Sequence, residues 1–155
     1  MSTTIFKTVV GLMALKTEGD AITRLWLPER LPELEHASPS DLATEAVLQI
    51  NAYLAGKLRD FQLPLSPAGT PFQMRVWHIL NTIPYGTTVS YQDVARDLGN
   101  PKATRAVGMA NNRNQIPIII PCHRVVGKSG ALTGYGGGLS LKQHLLELER
   151  RVLRE

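Results

Sequence analysis

The chain of 155 residues has a single cysteine, and its neighbours could activate it. Cys122 follows the apolar run Ile118–Ile120 and Pro121, and His123 and Arg124 come directly after it. A thiolate is a strong nucleophile, and an imidazole or a guanidinium beside a thiol can lower its pKa from about 8.5 toward neutrality. Adjacent side chains point apart in regular structure, so contact between Cys122 and His123 requires a turn, which Pro121 favours. The alternative is that Cys122 is a small buried apolar residue.

A catalytic imidazole needs a carboxylate to orient it, and Glu147 and Glu149 are the ones available downstream. They lie on a predicted C-terminal helix that Ser140 and Gln143 would cap. The apolar stripe of that helix comprises Leu141, Leu145, Leu148 and Val152. Glu149 lies next to the stripe and could point inward; otherwise it is a solvated glutamate.

A glycine-rich segment, Thr133-Gly134-Tyr135-Gly136-Gly137-Gly138, precedes this helix. It lacks the Lys-Ser/Thr pair of a phosphate-binding P-loop. Its backbone N–H groups and the Tyr135 ring could instead line a flat ligand. The alternative is a flexible connector.

Charge is distributed unevenly along the chain. Residues 1–70 carry a net charge of −2 and residues 71–155 a net charge of +6. Between Leu98 and Leu146 there is no acidic residue, but there are six cations: Lys102, Arg105, Arg113, Arg124, Lys128 and Lys142. This pattern is typical of a surface that binds a polyanion such as nucleic acid, or of a basic face that only aids solubility.

The C-terminal half reads as a series of short capped helices. Thr70 to Gln73 caps the first, which ends near Ile83–Gly86, and Ser90 to Asp93 caps the second, which ends at Gly99. Asn100-Pro101 would begin a third helix, which runs to about Asn111. Two short helices around a turn that contains glycine indicate a helix-turn-helix or an ordinary helical hairpin. The basic charge favours the first.

The third helix has few side chains that could read a base sequence. Base-specific contacts need Asn, Gln or Arg aimed at base edges. Small residues dominate this helix instead, namely Ala103, Ala106, Gly108 and Ala110. Arg105 is the one long cationic side chain in its middle. The helix is therefore expected to approach DNA closely with little sequence specificity, in the narrow minor groove.

The N-terminal half predicts an antiparallel meander followed by a helix. The expected strands are Thr4–Val10, Leu12–Lys16 and Ala21–Leu27, with Gly11 in the first turn. Ser38 is the expected cap of the helix, with Pro39 in its first turn and Asp41 completing a capping box. Ala43, Ala46, Val47, Ile50 and Leu54 form its apolar stripe, and Gly56 ends it. Residues 63–71 are expected to form a linker.

Composition excludes several classes of protein. Apolar residues are 43% and charged residues 19%, which excludes a disordered chain. One cysteine cannot form an intramolecular disulfide, and there is no CxxC pair for zinc. No apolar run reaches the ~20 residues that a bilayer requires. Residues 7–15 resemble a signal peptide only faintly and favour a hairpin, so we expect a cytoplasmic protein with no membrane partner.

The residues around Cys122 also carry a family resemblance. Pro121-Cys122-His123-Arg124-Val125 resembles the active-site motif of the O6-alkylguanine-DNA alkyltransferases. Further matching motifs stand in family order: Ile83-Pro84-Tyr85-Gly86, Ser90-Tyr91, Arg105-Ala106-Val107-Gly108, Asn114, Pro117, Thr133-Gly134-Tyr135 and Leu145-Leu146-Glu147-Leu148-Glu149. The resemblance covers Thr70 to about Glu149. It is weaker in the N-terminal third, where Thr8-Val9-Val10-Gly11 replaces the Ser-Pro-x-Gly that is frequent in the family.

The resemblance implies an α+β fold with two domains. Residues 1–66 would form a ribonuclease H-like sheet-and-helix domain. Residues 67–155 would form a mainly helical, winged-helix-like domain that binds DNA and transfers the alkyl group. Some relatives hold structural zinc in the first domain, but there is no cysteine before Cys122, so we expect no metal and no cofactor. A monomer is expected.

The resemblance also implies a reaction in which each molecule acts once. The O6-alkyl group, mainly methyl, would move from a flipped guanine in duplex DNA to Cys122, with O4-alkylthymine as a second substrate. Glu149 would orient His123, which would take the thiol proton through a water molecule. Tyr91 would donate a proton or a hydrogen bond to guanine N3, and Asn114 would tie the recognition helix to the active-site turn.

The remaining site residues follow from the same resemblance. Arg105 would enter the duplex and fill the vacated space. The other DNA-binding residues would be Lys102, Ala103, Thr104, Gly108, Met109 and Arg113. The base pocket would be lined by Pro117, Val125, Tyr135, Gly136 and Lys142.

Two other functions are compatible with parts of the sequence. A relative that only binds alkylated DNA would have the cysteine replaced, commonly by tryptophan, and Cys122 is present. A cysteine hydrolase with a Cys-His-Glu triad would show multiple turnovers and would leave the recognition helix unexplained.

Overall fold

The computed structural model describes residues 2–33 and 39–155. The chain divides into two compact units, of which the first ends at Ala68 and the second runs from Gly69 to Glu155. The fold is α+β, with a small antiparallel sheet and several helices, as predicted. Across the described ranges, we find no helix with the length and apolar character needed to cross a membrane.

The first unit contains the predicted three-stranded meander. Strands β1 (Ser2–Thr8), β2 (Gly11–Glu18) and β3 (Ala21–Trp26) pair antiparallel in the order β1-β2-β3. The first turn consists of Val9 and Val10, because Thr8 pairs with Gly11 and Gly11 is the first residue of β2. The prediction that Gly11 occupies the turn is therefore wrong by one residue. Gly11 adopts a φ of +126°, a conformation that glycine tolerates.

Helix α1 (Asp41–Leu54) begins later than predicted. Its cap is Ser40, whose hydroxyl accepts a hydrogen bond from the Ala43 N–H at 3.1 Å. Pro39 therefore precedes the cap, and its predicted place in the first turn is wrong. The predicted cap, Ser38, lies outside the described residues. Four residues of the predicted stripe are buried, namely Ala43, Ala46, Ile50 and Leu54.

Part of the predicted linker pairs with the sheet. The Ile22 N–H donates to the Pro64 carbonyl at 2.9 Å, and the Ser66 N–H donates to the Ile22 carbonyl at 2.8 Å. These bonds extend the sheet beyond β3 by an isolated bridge between Ile22 and Leu65. The edge of β3 offers backbone N–H and C=O groups that need hydrogen-bond partners, and residues 64–66 supply them. These residues therefore belong to the first unit.

The second unit begins with two helices whose caps were predicted. Helix α2 (Pro71–Leu80) starts after Thr70, and helix α3 (Tyr91–Asp97) starts after Ser90. Both have a complete capping box, with Gln73 and Asp93 as the returning side chains. These caps are local in sequence, which is why the pattern alone identified them. The first helix ends at Leu80 and not at residues 83–86.

Helix α4 (Thr104–Asn112) begins after the predicted Asn100-Pro101 start. The Ala103 N–H donates to the Asn100 carbonyl at 3.0 Å, so residues 100–103 form a separate turn. Ala103 is the cap and supplies no side-chain hydrogen bond. Arg105 therefore lies in the first turn of α4 and not in the middle of the helix.

The cysteine begins a short turn that leads directly into a two-residue strand. Strands β4 (Val89–Ser90) and β5 (Val125–Val126) pair in parallel, and a single 3-10 turn spans Cys122–Arg124. Helix α5 (Leu139–Leu153) has Gly138, with a φ of +92°, in its cap position. Ser140 lies inside the helix, so the predicted Ser140 cap is wrong. The buried side chains of α5 are Lys142, Leu145, Leu146, Leu148, Glu149 and Val152.

Alanine substitutions at two glycines with nearly the same φ would distinguish the cost of backbone strain from the cost of a steric clash. Gly86 has a φ of +76° and Gly99 a φ of +78°. A methyl group on Gly86 would lie 2.8 Å from Leu153 Cγ, whereas nothing lies within 4 Å of one on Gly99. We expect Gly99→Ala to lower the free energy of unfolding by about 1 kcal/mol from strain alone. Gly86→Ala should lower it by about 1 kcal/mol more, because the exposed Leu153 side chain must also leave its rotamer. Urea denaturation measures both, and equal losses would contradict the contact with Leu153.

Candidate active site

A tight turn presents the cysteine. Pro121 has φ −81° and ψ 63°, an inverse γ-turn, and the Cys122 N–H donates to the Ile120 carbonyl at 2.8 Å. The 3-10 turn follows at once, so the chain reverses at the position where a turn was expected. Cys122 is 3% exposed. The thiol therefore lies within the second unit and is not on an open surface.

The segment before this turn is strained and is held by two asparagines. Ile118 is buried and has a φ of +71°, a conformation that β-branched residues rarely adopt. Asn114, just beyond α4, donates from Nδ2 to the Ile120 carbonyl at 2.7 Å and accepts from the Ile116 N–H at 3.0 Å. Asn111 donates to the Cys122 carbonyl at 3.3 Å. The end of α4 is thus tied directly to the cysteine turn.

Glu149 is buried and accepts hydrogen bonds from three residues in two segments of the unit. Its carboxylate accepts from His123 Nε2 at 2.7 Å, from Arg124 Nε and Nη2 at 2.9 and 3.0 Å, and from the Gly86 N–H at 2.9 Å. Burial alone would raise the pKa of Glu149, but the hydrogen bonds from His123 and Arg124 and the charge of Arg124 lower it to about 2. The predicted inward orientation of Glu149 is confirmed, and its partner His123 is the one expected.

The ionised Glu149 determines the state of His123. A carboxylate only accepts hydrogen bonds, so the shared hydrogen lies on His123 Nε2 and the basic lone pair lies on Nδ1. Burial lowers the pKa of His123, against the opposing effect of Glu149. The imidazole is therefore neutral near pH 7 and is able to accept a proton.

The thiol is not activated in the way that the sequence suggested. Burial raises the pKa of Cys122 to about 11, although a hydrogen bond from Asn114 and the charge of Lys142 act in the opposite direction. Arg124 was expected to lower this pKa, but its guanidinium bonds to Glu149 and donates from Nη1 to the Ile83 carbonyl at 2.7 Å. Near neutral pH the protein therefore holds Cys122 as a thiol.

A second cluster joins the glycine-rich segment to α3 and α5. Lys142 is fully buried and donates from Nζ to the Thr133 carbonyl at 2.7 Å, and burial lowers its pKa. Tyr91 Oη donates to the same carbonyl at 3.2 Å and accepts from Thr133 Oγ1 at 3.0 Å. Tyr91 and Lys142 were both predicted site residues, whereas the Thr133 side chain was not.

The residues predicted to contact DNA form one side of α4 and the turn before it. Lys102, Arg105, Met109 and Arg113 are exposed, whereas Ala103, Thr104 and Gly108 are half-buried. A methyl group on Gly108 would lie 3.8 Å from Tyr91 Cδ1, so the α4 backbone passes close to the Tyr91 ring.

The predicted pocket residues differ in their burial. Tyr135 and Gly136 are half-buried, and the buried Tyr135 hydroxyl has no hydrogen-bond partner within the described ranges. Pro117 is buried beside the strained Ile118. Val125 is fully buried and pairs with Val89.

Comparison with known proteins identifies the family. The family described as "6-O-methylguanine DNA methyltransferase, DNA binding domain" matches residues 71–151, which is more than half of the chain. The chain belongs to this family. It is 47% identical over 161 residues to the constitutive methylated-DNA–protein-cysteine methyltransferase of Bacillus subtilis, covering 98% of this chain and 97% of the relative.

Two further relatives agree. The methylated-DNA–protein-cysteine methyltransferase of Mycobacterium bovis is 50% identical over 144 residues, covering 91% of this chain and 87% of the relative. A crystal structure of a Mycobacterium tuberculosis protein in complex with DNA is similar with a TM-score of 0.89 at 45% identity, covering 98% of this chain and 94% of that one. The family resemblance inferred from the motifs is therefore confirmed.

Sequence reasoning missed three features of this methyltransferase site. They are the double hydrogen bond from Arg124 to Glu149, the bond from the Gly86 N–H to Glu149, and the Thr133 hydroxyl on Tyr91. One signal was available for the first, since a buried carboxylate needs a cation and Arg124 follows His123. The other two depend on contacts over 63 and 42 residues that no local pattern shows.

The high thiol pKa predicts how the free methyltransferase reacts with a simple alkylating reagent. The thiolate is the reactive species, so the rate at which iodoacetamide modifies Cys122 should rise about tenfold per pH unit from pH 7 to 9. No plateau is expected in that range, because the pKa of about 11 lies above it. Intact mass spectrometry at several pH values measures the rate, and a plateau near pH 7 would show that the resting protein holds a thiolate.

Proposed function

We propose that this protein repairs DNA by direct reversal, accepting the O6-alkyl group of guanine in duplex DNA on Cys122 in a single turnover. The observation that carries the proposal is the only cysteine of the chain, held in a tight turn next to the buried His123–Glu149–Arg124 cluster. The names of the relatives describe the same transfer, from methylated DNA to a protein cysteine. O4-alkylthymine is proposed as a second substrate.

The proposed transfer balances atoms and protons. The Cys122 sulfur bonds to the alkyl carbon while the bond from that carbon to O6 breaks, and the electron pair stays on the purine. The thiol proton passes through a water molecule to His123 Nδ1, the basic nitrogen of the neutral ring. Tyr91 gives a proton to guanine N3, which stabilises the leaving purine, and later regains one from solvent. The thioether has no route back to a thiol, so each molecule acts once.

Access to the alkyl group requires the base to leave the helix. The target atom is inaccessible inside the base stack, so we propose that α4 enters the minor groove and that Arg105 fills the space of the flipped guanine. The exposure of Arg105, Lys102 and Arg113 and the absence of acidic residues between Leu98 and Leu146 support DNA contact on this side. The half-buried Ala103, Thr104 and Gly108 and the exposed Met109 would allow close approach with little sequence specificity.

The pocket and its link to DNA are proposed from the same arrangement. Asn114 connects the end of α4 to the cysteine turn through its bond to the Ile120 carbonyl, so a shift of α4 on DNA would reach Cys122. The flipped base would lie against Tyr135 and Pro117, with the Gly136 N–H donating to O6. Val125 and Lys142 would complete the pocket wall.

Several broader features are proposed as well. The antiparallel sheet and α1 support a ribonuclease H-like domain over residues 1–66, and the α3–turn–α4 arrangement supports a winged-helix-like DNA-binding domain over residues 67–155. One chain supplies Cys122, His123, Glu149 and Tyr91, which supports a monomer. A single cysteine supports a reducing location such as the cytoplasm.

The first functional test is an intact-mass measurement after exposure to duplex DNA that contains O6-methylguanine. We expect one added methyl group per protein, located on Cys122 by peptide mapping, and no further reaction with excess substrate. Cys122→Ser should bind the same DNA and transfer nothing. Multiple turnovers would indicate a cysteine hydrolase, and alkylation of another residue would contradict the assignment of Cys122.

The second functional test separates base flipping from chemistry. Free O6-benzylguanine needs no flipping, so Arg105→Ala should slow single-turnover repair of duplex DNA by one to two orders of magnitude and leave the reaction with the free base almost unchanged. Saturating protein removes any difference that arises from affinity alone.

Two further variants control for charge. Arg105→Lys should be intermediate, since it keeps the charge without the planar group. Arg154→Ala, which removes the same charge from an exposed position after α5, should repair duplex DNA at the normal rate. If Arg105→Ala slows both substrates equally, Arg105 supports the active site and the proposed insertion into the duplex is wrong.

A further inference from the structure

The Thr133 side chain has no role in the reaction proposed above, yet it contacts the proposed proton donor. We infer that Thr133 is a positioning residue for proton donation by Tyr91, its hydroxyl holding the Tyr91 oxygen and stabilising the negative charge that develops there as the purine leaves. The inference rests on the proposed function, since it concerns the same transfer.

The contact between Thr133 and Tyr91 runs in both directions. Thr133 Oγ1 donates to Tyr91 Oη at 3.0 Å, and Tyr91 Oη donates its own hydrogen to the Thr133 carbonyl at 3.2 Å. The Tyr91 oxygen is therefore held by a donor that is separate from its own hydrogen. A donor that remains in place while the phenol loses its hydrogen is what a phenolate requires.

The carbonyl that takes the Tyr91 hydrogen has a second, shorter partner. Lys142 Nζ donates to the Thr133 carbonyl at 2.7 Å. When guanine N3 replaces this carbonyl as the acceptor for Tyr91, the carbonyl keeps its hydrogen bond from Lys142. Tyr91 can thus redirect its hydrogen to the purine at little cost. The Lys142 ammonium, 5.9 Å from the centre of the Tyr91 ring, adds positive charge on the same side.

The strength of the Thr133 bond should change during the reaction. In the free protein Thr133 is exposed and Tyr91 is half-buried, and the bond joins two neutral hydroxyls that water can reach. An entering purine would remove water, and proton transfer would make the acceptor negative. A hydrogen bond to a charged acceptor is about twice as strong as one between neutral groups. An interaction that strengthens in the transition state raises the rate of transfer and not only the affinity.

A purely structural role makes a different prediction. The same bond would only anchor the glycine-rich segment against α3, and its loss would disturb every substrate alike. Two substrates distinguish the roles: O6-benzylguanine has N3 to receive a proton, whereas its 3-deaza analogue has a carbon at that position.

The experiment compares single-turnover rates at saturating substrate, with O6-benzylguanine and with its 3-deaza analogue. The proteins are wild type, Thr133→Val, Thr133→Ser, Tyr91→Phe and the Thr133→Val/Tyr91→Phe double variant. Thr133→Val should slow the reaction with O6-benzylguanine about tenfold, the equivalent of one hydrogen bond, and leave the slower reaction with the 3-deaza analogue unchanged. Thr133→Ser keeps the hydroxyl and should stay within about threefold of wild type. In the Tyr91→Phe background, Thr133→Val should have no further effect.

A matched control and the contrary outcomes complete the test. Thr88→Val makes the same chemical change at an exposed position and should leave both rates unchanged. An unchanged rate for Thr133→Val, equal slowing with both substrates, or a full further loss in the Tyr91→Phe background would each overturn the inference while leaving the proposed function intact. If wild type transfers neither a benzyl group from the free base nor a methyl group from O6-methylguanine in duplex DNA to Cys122, the proposed function fails, and the inference with it.

Discussion

Glu149 is a carboxylate that is 1% exposed, and a buried charge of this kind is stable only when it is paired and hydrogen-bonded. Arg124 supplies the opposite charge through two hydrogen bonds, and the Gly86 N–H and His123 supply the others. The carboxylate therefore joins α5, the cysteine turn and the loop before β4. Removing it would leave a buried guanidinium without its counter-charge, so both the folding of this unit and the tautomer of His123 depend on the same group.

Arg124 also keeps the imidazole in the useful protonation state. A lone carboxylate 2.7 Å from His123 would stabilise the imidazolium and raise the pKa of that histidine. Because Arg124 neutralises Glu149, burial dominates and the ring stays neutral. The carboxylate then orients the ring and fixes its tautomer, and Nδ1 stays unprotonated near pH 7. Arg124 thus affects the protonation of His123 and makes no direct ion pair with Cys122.

The sequence predicted those parts of the structure that depend on neighbouring residues. The capping boxes at Thr70 and Ser90 are complete within four residues, and the turn at Pro121 follows from its ring. Errors arose where two local signals competed. Gly138 occupies the cap position of α5 although Ser140 offers a hydroxyl, and residues 100–103 form a turn although Asn100-Pro101 resembles a helix start. The Thr133–Tyr91 and Gly86–Glu149 bonds could not be predicted, because tertiary packing alone brings those residues together.

The burial and high pKa of the Cys122 thiol affect how long an unreacted molecule keeps its ability to accept an alkyl group. A protein that is consumed by its reaction has a capacity equal to its number of intact thiols. Peroxides oxidise exposed thiolates in steps that end in irreversible sulfinic and sulfonic acids. Electrophiles other than the damaged base alkylate them. A protonated sulfur that is 3% exposed resists both kinds of loss. Slow reactivity at rest is therefore what preserves the cell's reserve of this protein until a damaged base arrives.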